Sequence, residues 1–204
     1  MNTFRYFDAI MAAFDEQVLR EYFEAHGVFV RAERRRPASR RKGTEETLDF
    51  HIFNPQAAAD PAGFVWFSSD LRAVREARVF IRPWHRETGF SARMLAGRPA
   101  ELAKFLQSKV VRVLGDVLEG TGKDVPRVLV LPAFPTAEPQ RTECARELRS
   151  GGVDAVLSFR SILDDVLQRV DLGQAYTKTG FMETLRVLKS YDLLREPQLG
   201  LFKG

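Results

Sequence analysis

The chain has 204 residues, 45% of them hydrophobic and 11% aromatic, with sixteen Phe. That is enough apolar mass for one core of ordinary size, which excludes global disorder and leaves little room for two separate cores. A formal charge of +4 and a pI near 9.4 favour polyanionic partners. The single cysteine, Cys144, excludes an internal disulfide and a cysteine-based zinc cluster, so a reducing, cytoplasmic setting is expected.

Taken in chain order, residues 7 to 26 place Phe7, Ile10, Met11, Phe14, Val18, Tyr22 and Phe23 at helical spacing, and Gly27 is the natural stop. "VFVRAERRR" then begins as a strand with Val28 and Val30 on one face and Phe29 on the other. A second strand follows at "TLDFHIFNP", where Leu48, Phe50 and Ile52 alternate with Asp49, His51 and Phe53 until Asn54-Pro55 breaks it. "FVWFSS" predicts a short strand and "DLRAVREA" a helical turn or two capped by Asp70. A buried strand is expected at residues 79 to 81 of "ARVFIRPWH".

Residues 99 to 118 form a long amphipathic pattern with Leu102, Phe105, Leu106, Val110, Val113, Leu114 and Val117. The continuous apolar run in "RVLVLP" is of the kind found inside a sheet covered on both faces. A helix at "AEPQRTECARELRSGG" and a strand at "VDAVLSF" repeat the alternation, and two helices close the chain. In the last of them Phe181, Leu185, Leu188 and Leu193 or Leu194 are expected to face inward. The order predicts an α/β fold with a central mixed sheet flanked by helices. No apolar run approaches the roughly eighteen residues of a membrane span, so neither export nor membrane insertion is expected.

The residues that carry chemistry are few. Glu16 lies on the first helix eleven residues before Gly27, Asp49 lies on the second strand before an Asn-Pro turn, and "ARVFIRPWH" supplies the next core strand. This order resembles the PD-(D/E)XK, or restriction-endonuclease-like, superfamily over roughly residues 8 to 160. In that superfamily a helix-borne Glu, a strand-borne Asp and a Glu-x-Lys on the next strand hold magnesium and activate water for phosphodiester cleavage. The resemblance implies a restriction-endonuclease-like core over 1–160 and a C-terminal helical extension over 161–204, packed on the core or on a partner.

The departures are as telling. Phe80 stands at the acidic position, Arg82 at the lysine position and Pro83 where a small residue would let substrate approach. A guanidinium holds phosphate well but accepts no proton. The catalytic candidates are therefore Glu16, Asp49 and Arg82 as a vestigial set, with Asp49 the candidate metal ligand. Asp70 is either a relocated acid or only a helix cap.

A second feature is "RAERRRPASRRKG", in which Arg31, Arg34, Arg35, Arg36, Arg40, Arg41 and Lys42 cluster around a Pro-Ala-Ser break. It reads equally as a phosphate-binding hairpin and as a solvated loop. Trp84 and His85 are candidates to stack on a base or to bond a phosphate, or else they plug the end of the core. "GTGKD" is not a phosphate-binding loop, because Val117 falls where its first glycine belongs and Asp124 where Ser or Thr belongs. His26 and His51 have no partner at zinc-ligand spacing, and Cys144, on a charged helix with no nearby His, reads as structural.

The function expected is nucleic-acid binding, DNA foremost, by an inactivated nuclease-like domain. Its role would be recognition or scaffolding within a bacterial nucleic-acid-processing or defence complex, with no cofactor. Two alternatives stay open. One is an active magnesium-dependent DNA endonuclease using Glu16, Asp49 and Asp70, with Arg82 on the phosphate. The other is a protein-interaction module that uses the C-terminal helices, whose apolar tail carries Leu199, Leu201 and Phe202.

Overall fold

The computed structural model describes residues 3–33, 48–57, 63–81, 125–132, 134–135, 137–176 and 180–194. Helix α1 runs Thr3–Ala25, followed by β1 Phe29–Glu33, β2 Leu48–Phe53, β3 Val65–Trp66 and β4 Glu76–Ile81. After β5 Arg127–Leu131 come α2 Gln140–Ser150, β6 Ala155–Ser158, α3 Phe159–Gln168 and α4 Gly180–Ser190. The amphipathic pattern at 99–118, residues 34–42 of the basic run, Arg82, Trp84, His85 and the apolar tail lie outside the described residues.

Gly27 ends α1 as expected, and the geometry shows why. It sits at φ 75, where its N–H reaches the Glu24 carbonyl while the Val28 N–H reaches the Phe23 carbonyl, each at 3.0 Å. These are the paired bonds of a helix terminator that needs a left-handed residue, and buried Val28 packs behind the last turn. Nothing lies within 4 Å of a Cβ at Gly27, so the demand for glycine there is purely conformational. Gly152, at φ 86, ends α2 by the same pair of bonds.

The six strands form one mixed sheet in the order β1-β2-β4-β5-β6-β3. β1, β2 and β4 are antiparallel neighbours; β5 runs parallel to β4, β6 to β5, and β3 to β6. The register sorts the side chains onto two unlike faces. Val30, Ala32, Leu48, Phe50, Ile52, Ala77, Val79 and Ile81 share one, continued by Val128, Val130, Ala155 and Leu157. The other face carries Phe29, Arg31, Asp49, His51, Phe53, Glu76, Arg78, Phe80 and Arg127. β5 is buried along its apolar residues on both sides, as its unbroken run requires.

Val18, Leu19, Tyr22 and Phe23 of α1 join Phe50, Ile52, Val79 and Ile81 in a single buried cluster that extends to Ile162, Val166, Val170 and Met182. The helices after residue 160 thus share the core of the sheet. Phe14 meets Phe181 edge to face at 5.4 Å, which ties α4 to α1.

Several boundaries differ from expectation. β4 begins at Glu76, three residues before the apolar run, because antiparallel pairing with β2 extends from Phe53↔Glu76 to Leu48↔Ile81 whatever the polarity of the residues. The turn after β3 is a 3-10 turn over Ser68–Arg72, in which Asp70 stands third rather than first. In α4 it is Met182 that is buried, Phe181, Leu185 and Leu188 are partly covered, and of the last two leucines Leu193 is exposed and Leu194 partly covered. The α4 chain turns at Asp192, φ 55, which swings Leu193 off the helix face that its spacing had placed inward.

Candidate functional site

The expected site residues on strands fall in the middle of the mixed face. Asp49 pairs in register with Phe80, so the aspartate and the phenyl ring are direct cross-strand neighbours. Arg78, two residues before Phe80 on β4, projects from the same face. Its Nη2 donates to Asp49 Oδ2 at 2.9 Å. The contact is diagonal across the ladder, a separation that a long side chain spans. It is also buried, with 2% of the Asp49 side chain and 12% of Arg78 exposed.

Around this pair the register draws a row of basic side chains across four adjacent strands: Arg31 beside His51, His51 beside Arg78, and Arg78 beside Arg127. Three of the four face carboxylates. His51 Nε2 lies 2.5 Å from Glu76, Arg78 holds Asp49, and Arg127 Nε donates to Asp154 at 3.1 Å. Arg31 is exposed and has no ion pair among the described residues. The row is therefore nearly balanced.

The remaining acids are placed elsewhere. Glu16 is half-buried on α1 with its Oε1 3.4 Å from Arg20, whose other amino group donates to the Val30 carbonyl. The helix-borne and strand-borne carboxylates are thus each held by a different guanidinium. Asp70 Oδ2 accepts from the Phe67 N–H at 2.8 Å, which is a cap of the 3-10 turn. Asn54, just past the end of β2, donates to the Leu71 carbonyl at 3.0 Å and pins that turn beside the Phe53 end of the strand. Asp49 is four residues farther along β2, about 13 Å away. The cap keeps Asp70 at the opposite end of the ladder from Phe80.

Does the Asp49 position suit magnesium? A hard divalent cation needs several oxygen ligands. Here one carboxylate is bonded to a guanidinium and faces a phenyl ring. Among the described residues no group of three His, Cys, Asp or Glu converges on one point. Among the described residues, the donors at Asp49 do not by themselves fit the metal.

Two polar features lie outside the expected site residues. Asp15 is fully buried on the side of α1 shared by Val18, Leu19 and Tyr22. Its i, i+3, i+4, i+7 relation to them was there to be seen. The second is a cluster joining α1, the 3-10 turn and α3. His26 Nε2 lies 3.1 Å from Asp165 Oδ1, Arg169 Nε donates to the same oxygen at 2.6 Å, and the Tyr22 hydroxyl lies 3.3 Å from Ser68 Oγ. Burial pushes the Asp165 carboxyl up, but hydrogen bonds from Arg169 and Ser68 and the nearby His26 outweigh it and hold it below the usual range. Ser68 meets Tyr22 and Asp165 rather than the imidazole, so no serine-histidine relay is formed. Cys144 is buried on α2, and burial and then Glu147 and Glu143 push its thiol up, away from the thiolate.

Burial pushes the Tyr22 phenol up to about 12 from 10.0. Because the folded value is the higher one, the stability tied to this proton is full below pH 10 and is lost as pH rises through 12. Two units correspond to about 2–3 kcal/mol. Tyr22→Phe should flatten the fall in stability across that window, as measured by urea midpoints at stepped pH.

Compared with protein-family models, curated proteins and solved structures, the chain matches none. Among the described residues no helix is long and apolar enough to cross a membrane.

Proposed function

We propose that this protein binds nucleic acid with an inactivated nuclease-like domain, as a recognition or scaffolding subunit of a bacterial nucleic-acid-processing or defence assembly. The observation that carries it is the buried Arg78–Asp49 pair beside Phe80, because a guanidinium engages the carboxylate that an active nuclease would need for its metal. The order of elements supports the nuclease-like lineage. A helix leads into three antiparallel strands, β1, β2 and β4, and β5 then lies parallel to β4. The basic run at 31–42 would supply the phosphate contacts.

Supercoiled plasmid incubated with the protein in Mg2+ and then in Mn2+ should stay uncut, while a labelled duplex is bound with an affinity that falls steeply with salt. Nicking that disappears in Asp49→Asn would replace this function with that of an active endonuclease.

One observation favours a second reading, a protein-interaction module. Val187, Tyr191 and Leu193 expose apolar surface at the end of α4. Absence of both cleavage and nucleic-acid binding would leave that function standing.

A further inference from the structure

We infer that two copies of this chain pair through β1, antiparallel about a two-fold axis at Val30, so that their two sheets become one. Among the described residues β1 is the outermost strand on its side of the sheet. The bonding of the ladder fixes which of its groups face outward. The Asn54 N–H donates to the Arg75 carbonyl at 2.8 Å, in line with the β2–β4 register. Antiparallel bonding alternates, so Leu48, Phe50 and Ile52 turn their backbone groups toward β4, while Asp49, His51 and Phe53 turn theirs toward β1. Phe29, Arg31 and Glu33 face those last three in register. Val30 and Ala32 therefore point their N–H and C=O groups away from the sheet, and the bond from Arg20 Nη1 to the Val30 carbonyl agrees.

Such an edge is ordinarily closed by a proline, a bulge or a covering segment. β1 has no proline, its register with β2 is unbroken, and Arg20 takes up one of the two lone pairs of a single carbonyl. The strand's own sequence selects the occupant. An axis at Val30 sets Val30 opposite Val30, Val28 opposite Ala32, and Phe29 opposite Arg31 of the second copy. Val28 is buried on the core side and Val30 and Ala32 are partly covered there, so the pairing carries the apolar layer across the junction. On the other face, the Phe29 ring is 66% exposed and makes no ring contact among the described residues. It meets a guanidinium that is exposed and has no ion pair among the described residues. Theirs is a non-hydrogen-bonded pair, the kind in which side chains come closer, and the two-fold axis makes it twice. Main-chain bonds run between the two Val30 residues and from each Ala32 N–H to the Val28 carbonyl of the other copy; the Val28 N–H is already held by Phe23. An axis at Arg31 would instead set two guanidiniums directly opposite each other. One operation thus satisfies an open edge, a bare ring and a solitary cation.

Sedimentation velocity on the full chain, over a concentration series reaching about 100 µM, tests this. The wild type should be dimeric at the upper end. Phe29→Ala and Arg31→Ala should each raise the dissociation constant about fivefold to thirtyfold, since each removes both symmetry-related contacts. Phe29→Arg sets like charges opposite each other and should leave only monomer. Adding Arg31→Phe to that same chain puts a ring opposite a guanidinium again and should recover the dimer. Ala32→Pro removes an outward N–H that the sheet does not use, and should also give monomer. Phe29 and Arg31 are exposed, and unchanged far-ultraviolet circular dichroism would establish that their variants fold.

A wild type that stays monomeric at every concentration overturns the inference. So does a dimer that survives Phe29→Arg. Loss of that surviving dimer in Glu33→Gln would move the axis to Ala32, where Arg31 meets Glu33, and its loss in Tyr191→Ser would move the contact to the end of α4. A dimer that Phe29→Arg abolishes and the double change does not recover overturns the pairing of ring and guanidinium that selects the axis.

Discussion

Arg78→Ala is expected to lower the stability of the fold by about 3–5 kcal/mol, because it removes the buried guanidinium bonded to the Asp49 carboxylate, of which 2% is exposed, opposite a phenyl ring. Against a total stability of about 5–15 kcal/mol for a typical domain, that is a large fraction. Asp49→Ala should cost less, since Arg78 keeps partial access to water and can swing its head outward. The joint change of Asp49→Leu with Arg78→Met removes both charges and fills a similar volume. It should return stability to within about 1–2 kcal/mol of the parent. Urea denaturation of the four proteins closes the cycle. A cost below ~1 kcal/mol for Arg78→Ala would mean an aspartate already well hydrated and open to a metal, and the inactivated site would no longer stand.

The second large effect concerns affinity. Replacing Arg34, Arg35, Arg36, Arg40 and Arg41 together by alanine should make binding far less sensitive to salt. Each phosphate contact contributes about 0.9 to the slope of log affinity against log salt, so five contribute roughly 4–5. At ~0.1 M salt this corresponds to a loss of up to about four orders of magnitude. Duplex and single strands should suffer alike, because these contacts are made to the backbone and carry no base information. An unchanged slope in the five-fold variant would make the run a solubilising loop and move the phosphate contacts elsewhere.

The local devices of the fold were legible. The alternation of Leu48, Phe50 and Ile52 marks β2 and its buried face, since a strand's two-residue period is written into consecutive positions. The unbroken Val128, Leu129, Val130 and Leu131 mark an interior strand, and Gly27 marks the end of α1, because only a residue free to take positive φ completes that terminator. Less legible was β3. Two residues, Val65 and Trp66, cannot reveal that they pair with β6 at the far edge of the sheet, about ninety residues later.

The site divides in the same way. Sequence alone determined that Asp49 points away from Phe50 and Ile52, and that the basic charge is concentrated after Arg31. Only the tertiary structure decided what these mean. Whether the Asp49 face is open or sealed depends on the register with β4, which brings Phe80 opposite it and Arg78 onto its carboxylate across twenty-nine residues of chain. The same holds for His26 and Asp165, 139 positions apart, and for Phe29 and Phe53, whose adjacency exists only because β1 and β2 pair. Periodicity assigns a side chain to a face, because that is set by the chain's own geometry. Its partner, its burial and its chemistry are set by which distant strand or helix arrives there, and no window of neighbouring residues contains that information.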